Sequence, residues 1–316
     1  MLQLEWFLFS RSNSLQIEHH SNSRTIQYTP NSPLQLGLGV SHYWLSLSAA
    51  LWLPANTNAR PYRGDTRFFG LKAGINTHTV WGGAYFERYS GFYVSNPGTV
   101  MPEWNKSMAT FPLRSDLQTR VWLGNIIYNF KPERFSHNAL IDMRDRQLRS
   151  AGTWLVGVGI LSMRAQADST LAPTQANFEY PRGSQLVSLD NQRLILSGGY
   201  AHTFVLLRKW YLSALLMPGV SFFFGSHTLH ADSFVRVPLS TGAGLEAMFT
   251  LGYNGKRSIW GIRVDARTFS GNKAEGVFYT AGHSQIRLIY GRRFEIPERY
   301  SAKVKAPMEW FKQLFR

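Results

Sequence analysis

The chain has 316 residues, of which 44% are apolar, 14% aromatic and only 17% charged, with a net charge of +15 and no cysteine. This excludes a disordered chain, which lacks aromatics, and a disulfide scaffold. No stretch of ~18 apolar residues exists to form a membrane-spanning helix, and there is no triplet or heptad repeat for a collagen or coiled coil.

Arginines number 25 against 9 lysines. The cations are scattered through strand ends and loops rather than gathered in a tail or stripe. That distribution points to anionic lipid or phosphorylated glycolipid as the partner, not nucleic acid. The absence of cysteine suits an exported protein.

In chain order, Met1 to Ser10 (MLQLEWFLFS) lacks a basic segment, a long apolar core and a small-residue cleavage site, so it is not a secretory leader as written. A leader upstream of the given start is expected. From Leu36 onward the pattern alternates with period two. Leu36, Leu38 and Val40 oppose Gly37, Gly39 and Ser41; Leu45, Leu47, Leu51 and Leu53 oppose Ser46 and Ser48; Phe69, Leu71, Ala73 and Ile75 oppose Gly70, Lys72 and Gly74. Strands are expected near 78–94 and 117–130. Ala139, Ile141 and Met143 against Asn138, Asp142 and Arg144 read as another strand. Others follow near 152–165, 192–207 and 210–224. Val237 to Gly252 alternates over 16 residues, far beyond an ordinary strand of ~5–6. Asn254-Gly255 is a hairpin signal leading into Trp260, Ile262, Val264 and Ala266, which oppose Arg263, Asp265 and Arg267. A last strand is expected near 283–293.

Such long runs suit tilted membrane strands of ~9–11 lipid-embedded residues plus an extension. A soluble β-sandwich or propeller also alternates. However, Tyr43-Trp44, Trp52, Trp81, Tyr128, Trp210-Tyr211, Tyr253, Trp260 and Tyr290 cluster at run ends, like the aromatic girdles of a membrane barrel. Tight turns near 42–44, 76–78, 131–134, 207–210 and 253–256 alternate with long connections over 54–65, 95–115, 166–191 and 270–282. The alternation slips phase between 131 and 190, so one strand is misplaced there or near the N-terminus.

Several phrases together resemble one family. They are Tyr28-Thr29-Pro30-Asn31, GLGVSHYWLSLS (37–48), FERYSGFYV (86–94), YNFKPERFSHNA (128–139), QLRSAGTWLVGVGI (147–160), STLAP (169–173) and GYAHTFVL (199–206). The chain is similar, over roughly residues 5–295, to the Bacteroidota outer-membrane barrel family DUF4421. The resemblance implies an exported outer-membrane β-barrel and implies no reaction.

The expected fold is all-β: a single closed antiparallel transmembrane β-barrel of 12 strands (12–14 in range) over residues 1–296. A basic, amphipathic C-terminal tail over 297–316 follows, whose PMEWFKQLFR could form a short interfacial helix.

The assigned faces send Lys72, Asp142, Arg144, Glu246, Arg263, Asp265, Arg267 and Arg287 into the lumen, with Glu87 a further candidate. Both signs occur, which favours a plug of ion pairs over an open polar path. Loop residues Arg60, Arg63, Arg114, Arg182 and Lys273 are the candidates for contact with outer-leaflet glycolipid phosphates. No catalytic residues, metal site or cofactor are assigned. His227 and His230 with Asp232 fall short of a metal set. His137, His202 and His283-Ser284 lack the fixed geometry a hydrolase needs. The glycine pairs at 37–39 and 157–159 do not open a helix. The function expected is a non-catalytic outer-membrane barrel, either a structural or assembly component or a narrow passage. The alternatives are a barrel enzyme acting on lipid and a soluble basic β-protein binding nucleic acid.

Overall fold

The computed structural model describes residues 1–19, 25–31, 34–54, 60–101, 103–104, 110–172, 186–229, 234–269, 272–274 and 277–295. The strands are β1 (Leu2–His19), β2 (Thr25–Thr29), β3 (Gln35–His42), β4 (Leu45–Trp52), β5 (Arg67–Asn76), β6 (Val80–Val94), β7 (Leu113–Asn129), β8 (Ala151–Gln166), β9 (Leu186–Leu206), β10 (Trp210–Leu229), β11 (Phe234–Asn254), β12 (Ser258–Phe269), β13 (Asn272–Ala274) and β14 (Val277–Phe294). Three short helices interrupt them: α1 (Arg60–Arg63), α2 (Pro97–Val100) and α3 (His137–Ile141).

All strands but β2 and β13 form one antiparallel barrel of twelve, closed by β14 pairing with β1 from Leu2↔Phe294 to His19↔Val277. Closure leaves no sheet edge with unpaired backbone groups along this seam, which hydrocarbon would not tolerate. The wall is uneven in height. β3 and β4 have 8 residues each and β5 has 10, whereas β6 to β11 have 15 to 21. Above the three short strands, β2 pairs with β1 (Leu15↔Tyr28, Ile17↔Ile26) and with β6 (Tyr28↔Val94), and so continues the wall.

The period-two pattern sorts side chains as the pleat requires. Leu38, Leu71, Ile126, Val158, Leu196, Leu216, Phe249, Ile262 and Leu288 are exposed on the outside, each on a different strand. Wet surfaces of monomers do not carry contiguous apolar area on this scale. The outer belt is therefore a lipid-facing surface. Trp210, Tyr253 and Trp260 cluster at the short-turn end, Tyr253 stacked on Trp260 and Trp210 edge-on to both, with Trp210 and Trp260 rings 4.7 Å apart.

The strand total agrees with the expectation, but its membership differs. Residues 138–144 are not a strand. Ala139, Ile141 and Met143 are buried inside the barrel, not lipid-facing. In their place, the first residues of the chain form β1. Its outer face carries Leu2, Leu4, Trp6 and Leu8, and its inner face Gln3, Glu5, Phe7 and Phe9, with Phe7 and Phe9 buried. Apolar residues on both faces hide the alternation. This exchange accounts for the phase slip, because the 130–150 connection lies at the short-turn end despite its length.

The Asn254-Gly255 hairpin joins β11 to β12 as expected, but the turn starts one residue later. Asn254 is still paired with Ile259, and Gly255 N–H donates to the Ser258 carbonyl at 3.0 Å. Small lumen-face residues make room for large neighbours. A Cβ on Gly37 would fall 2.0 Å from the Phe7 ring across the β1–β3 pair. Residues 296–316, and with them the amphipathic tail, lie outside the described residues.

Replacing outward-facing Leu196 by Arg should destabilise the folded barrel by about 2–4 kcal/mol if it sits near the bilayer midplane. Leu207→Arg, in the fully exposed β9–β10 turn, should change stability by no more than about 0.5 kcal/mol. Equilibrium unfolding in lipid vesicles separates the two outcomes.

Candidate functional site

The distinctive feature is the interior, which is filled from both ends. At the short-turn end, residues 130–150 fold inward between β7 and β8 instead of turning. Ser136 caps α3, accepting from the Ala139 N–H at 3.2 Å and donating to Asp145 Oδ2 at 2.9 Å. Asn138 also donates to Asp145 at 2.9 Å. Phe135, Leu140 and Met143 are fully buried, and Leu140 and Phe135 pack with Trp81, Ile127, Leu155 and Leu215 of the wall.

Backbone carbonyls released by this irregular segment must find donors inside the barrel. The wall supplies them from strands far apart in sequence. Gln3 Nε2 donates to the Asp142 carbonyl at 2.9 Å and Asn254 Nδ2 to that of Asp145 at 2.7 Å. Arg263 donates to the Ile141 carbonyl and Arg293 to that of Met143. Arg293 also donates to Asn254 Oδ1 at 2.7 Å. Met143 adopts φ 51°, a left-handed conformation uncommon for a non-glycine residue, at the point where the segment turns back.

Above the insert lies a belt of charge. Lys72 meets Asp142 at 2.7 Å, Arg263 meets Asp265 at 3.3 Å, and Arg267 meets Glu246 at 2.7 Å. Arg11 pairs with Glu87, and Gln285 ties Arg11 to Asp265 at 2.7 Å on each side. Arg144 turns aside to the Asn76 carbonyl at 3.3 Å. Asp142 and Arg144 thus reach the lumen from the insert, not from the strand on which the alternation put them. Arg287 has no carboxylate within 4 Å among the described residues, and its guanidinium carbon lies 4.4 Å from the Phe7 ring centre and 5.2 Å from that of Phe9. The charges and apolar side chains leave a cavity of ≈130 Å³, lined by Phe7, Phe68, Trp81, Tyr85, Met248 and Arg287 among others.

The opposite end is closed by apolar packing. Leu15, Ile17, Ile26, Phe92, Val94, Val100, Leu117, Leu171 and Leu189 form one buried cluster. Tyr28 donates to the Leu171 carbonyl there. Arg114 grips Asp116 through two 2.9 Å bonds and donates to the Thr170 and Leu171 carbonyls at 2.8 and 3.1 Å.

The loop cations expected to meet lipid thus divide. Arg114 lies at the start of β7 rather than in a loop, fastens that strand to the connection at Thr170 and Leu171, and is largely buried. Arg60 is exposed but pairs with Asp65 at 2.7 Å. Arg63 lies against Tyr93 and Phe111, 5.7 and 5.4 Å from their ring centres. Lys273 belongs to β13. Arg182 lies outside the described residues, as do His230 and Asp232.

His202 sits on the outer face against Phe204, rings 4.2 Å apart. His137 is buried in the insert, 5.7 Å from the Trp81 ring, and neither ring nitrogen has a hydrogen-bond partner among the described residues. Among the described residues, no three His, Asp or Glu side chains are grouped to hold a metal. Sequence reasoning missed the contributions of Gln3, Arg11, Asn254, Gln285 and Arg293. For all but Asn254, which ends β11, the available signal was polar side chains on the lumen-facing alternation of β1 and β14.

The chain belongs to the family described as a domain of unknown function, DUF4421, whose model matches residues 1–294. No curated protein matches it in sequence. Among solved structures it is similar to the P. putida toluene transporter TodX (10% identity, covering 94% of this chain and 91% of that one, TM-score 0.29). It is also similar to the outer membrane protease OmpT from Escherichia coli (8% identity, covering 92% and 94%, TM-score 0.35). A third is the beta domain of the Bordetella autotransporter BrkA (9% identity, covering 93% and 100%, TM-score 0.39). At these values nothing about activity carries over.

Burial pushes the His137 imidazole down to about 4, below the unfolded value of ~6.5. The unfolded chain therefore takes up a proton first as pH falls, and stability is lost progressively from about 6.5 towards 4. Unfolding midpoints should drop between pH 7 and pH 5, and His137→Gln should reduce that drop. Lys72→Met, which strands buried Asp142, should cost about 3–5 kcal/mol. Arg287→Met should be neutral or stabilising, because no ion pair is broken. Thermal unfolding of the detergent-solubilised variants tests both.

Proposed function

We propose that this protein is a non-catalytic outer-membrane β-barrel with a structural or assembly role, its lumen closed at rest rather than serving as a passage. The observation that carries this reading is the 130–150 insert, whose carbonyls are held by donors from β1, β11, β12 and β14. A loosely placed turn would not recruit four strands. Buried pairs also argue for permanence, since separating one leaves an uncompensated charge in a narrow interior.

Location in the outer membrane is supported by the closed wall and its apolar outer belt, the architecture by which strands cross a bilayer. The long connections would face outward and the short turns inward, as in bacterial barrels generally. A non-catalytic role is supported by the charged lumen residues, Arg287 apart, being engaged with one another, with the wall or with the insert.

Planar-bilayer recording tests the reading. The protein should insert without steady conductance. Replacing residues 135–146 by a short Gly-Ser turn should produce discrete conductance steps. Steady conductance from the unaltered protein would overturn the closed-lumen reading, and failure to enter bilayers would overturn the location.

A further inference from the structure

Arg60 and Arg114 each have a carboxylate of their own, but a set of arginines on the outside of the wall does not. Arg88 of β6 stands directly opposite Arg120 of β7, and Arg120 directly opposite Arg164 of β8. All three are exposed on the outer face. Arg67 of β5 flanks them, opposite Ser90, two residues beyond Arg88. Neighbouring strands lie ~4.8 Å apart, so the three arginines are carried within ~10 Å. Like charges directly opposite across a pair are destabilising. Among the described residues, neutralisation from the protein is slight. Arg88 donates to the uncharged Gln118 Oε1 at 2.9 Å, and Asp190, opposite Arg164 on β9, makes no ion pair with it within 4 Å.

The position of the row matters as much as its charge. One step towards the short-turn end lie Phe86 and Trp122, opposite one another with rings 4.4 Å apart. Phe69 and Ile160 are exposed on the same outer face. The row therefore sits where the apolar belt ends on the long-loop side, at the depth of lipid headgroups. A guanidinium presents a planar fork that binds phosphate through paired hydrogen bonds. A phosphate monoester supplies close to two negative charges and three acceptor oxygens.

We infer that Arg88, Arg120 and Arg164 form a binding site for the phosphate-monoester headgroup of a membrane lipid in the leaflet on the long-loop side. Lipid is favoured over free phosphate because the row is continuous with the apolar belt that would hold acyl chains. This inference rests on the membrane-spanning reading and specifies the lipid chemistry that the barrel recognises.

The test uses the full chain in detergent micelles doped with a diphosphorylated disaccharide glycolipid or its enzymatically dephosphorylated form, with retained lipid counted by native mass spectrometry. The phosphorylated form should be retained about tenfold better, with the preference shrinking as salt rises. The double variant Arg120→Ser/Arg164→Ser should lose that preference while folding normally, since both side chains are exposed and relieving repulsion does not destabilise the pair. Arg120→Lys/Arg164→Lys, which keeps charge but not the fork, should retain only part of it. Equal retention of both lipids, an unchanged preference in the serine variant, or displacement by inorganic phosphate at equimolar concentration would each overturn the inference. A protein that does not enter bilayers at all would count against the membrane reading instead.

Discussion

Closure of the sheet is the constraint on which everything else depends. Pairing of β1 with β14 along the length of both strands removes the backbone edge that no spanning structure can leave in hydrocarbon. Once the wall is closed, each strand has one face towards lipid and one towards a confined interior. The outer face needs only to be apolar. The inner face must find partners for its buried polar groups, because an unpaired one in a narrow interior is costly.

The interior meets that demand with its own chain. The wall over β3 to β5 is low, and β2 continues it by bridging β1 to β6. Apolar side chains from this bridge and the long connections close one end. The 130–150 segment closes the other, and between them lie charges matched mostly one to one. Buried ion pairs add little net stability compared with apolar packing. What they contribute here is position: Lys72 and Arg263 hold Asp142 and Ile141 of the insert, so the same residues that neutralise the lumen also fix the plug.

Charge has a second use on the outside. The exposed loop arginine Arg60 has its own carboxylate, whereas the Arg88–Arg120–Arg164 row has no ion pair among the described residues. A net charge of +15 is thus not a diffuse property of the surface. Part of it is concentrated where the lipid belt ends, in a geometry that strand register alone produces.

The amino-acid sequence by itself determined the class of fold, since period-two alternation over long runs with aromatic ends has few solutions other than a membrane barrel. It also showed the lumen side of β12, where Arg263, Asp265 and Arg267 alternate cleanly with Trp260, Ile262, Val264 and Ala266. It could not reveal β1, because Phe7 and Phe9 face an apolar interior and erase the contrast between faces. Nor could it distinguish the insert from a strand. The residues Ala139, Ile141 and Met143 alternate with polar neighbours whether they point at lipid or are buried in the lumen. Only the tertiary structure decided that, because the deciding donors, Gln3, Asn254, Arg263 and Arg293, come from strands brought together by closure. The arginine row was invisible for the same reason: local spacing does not record which residues of separate strands stand opposite one another.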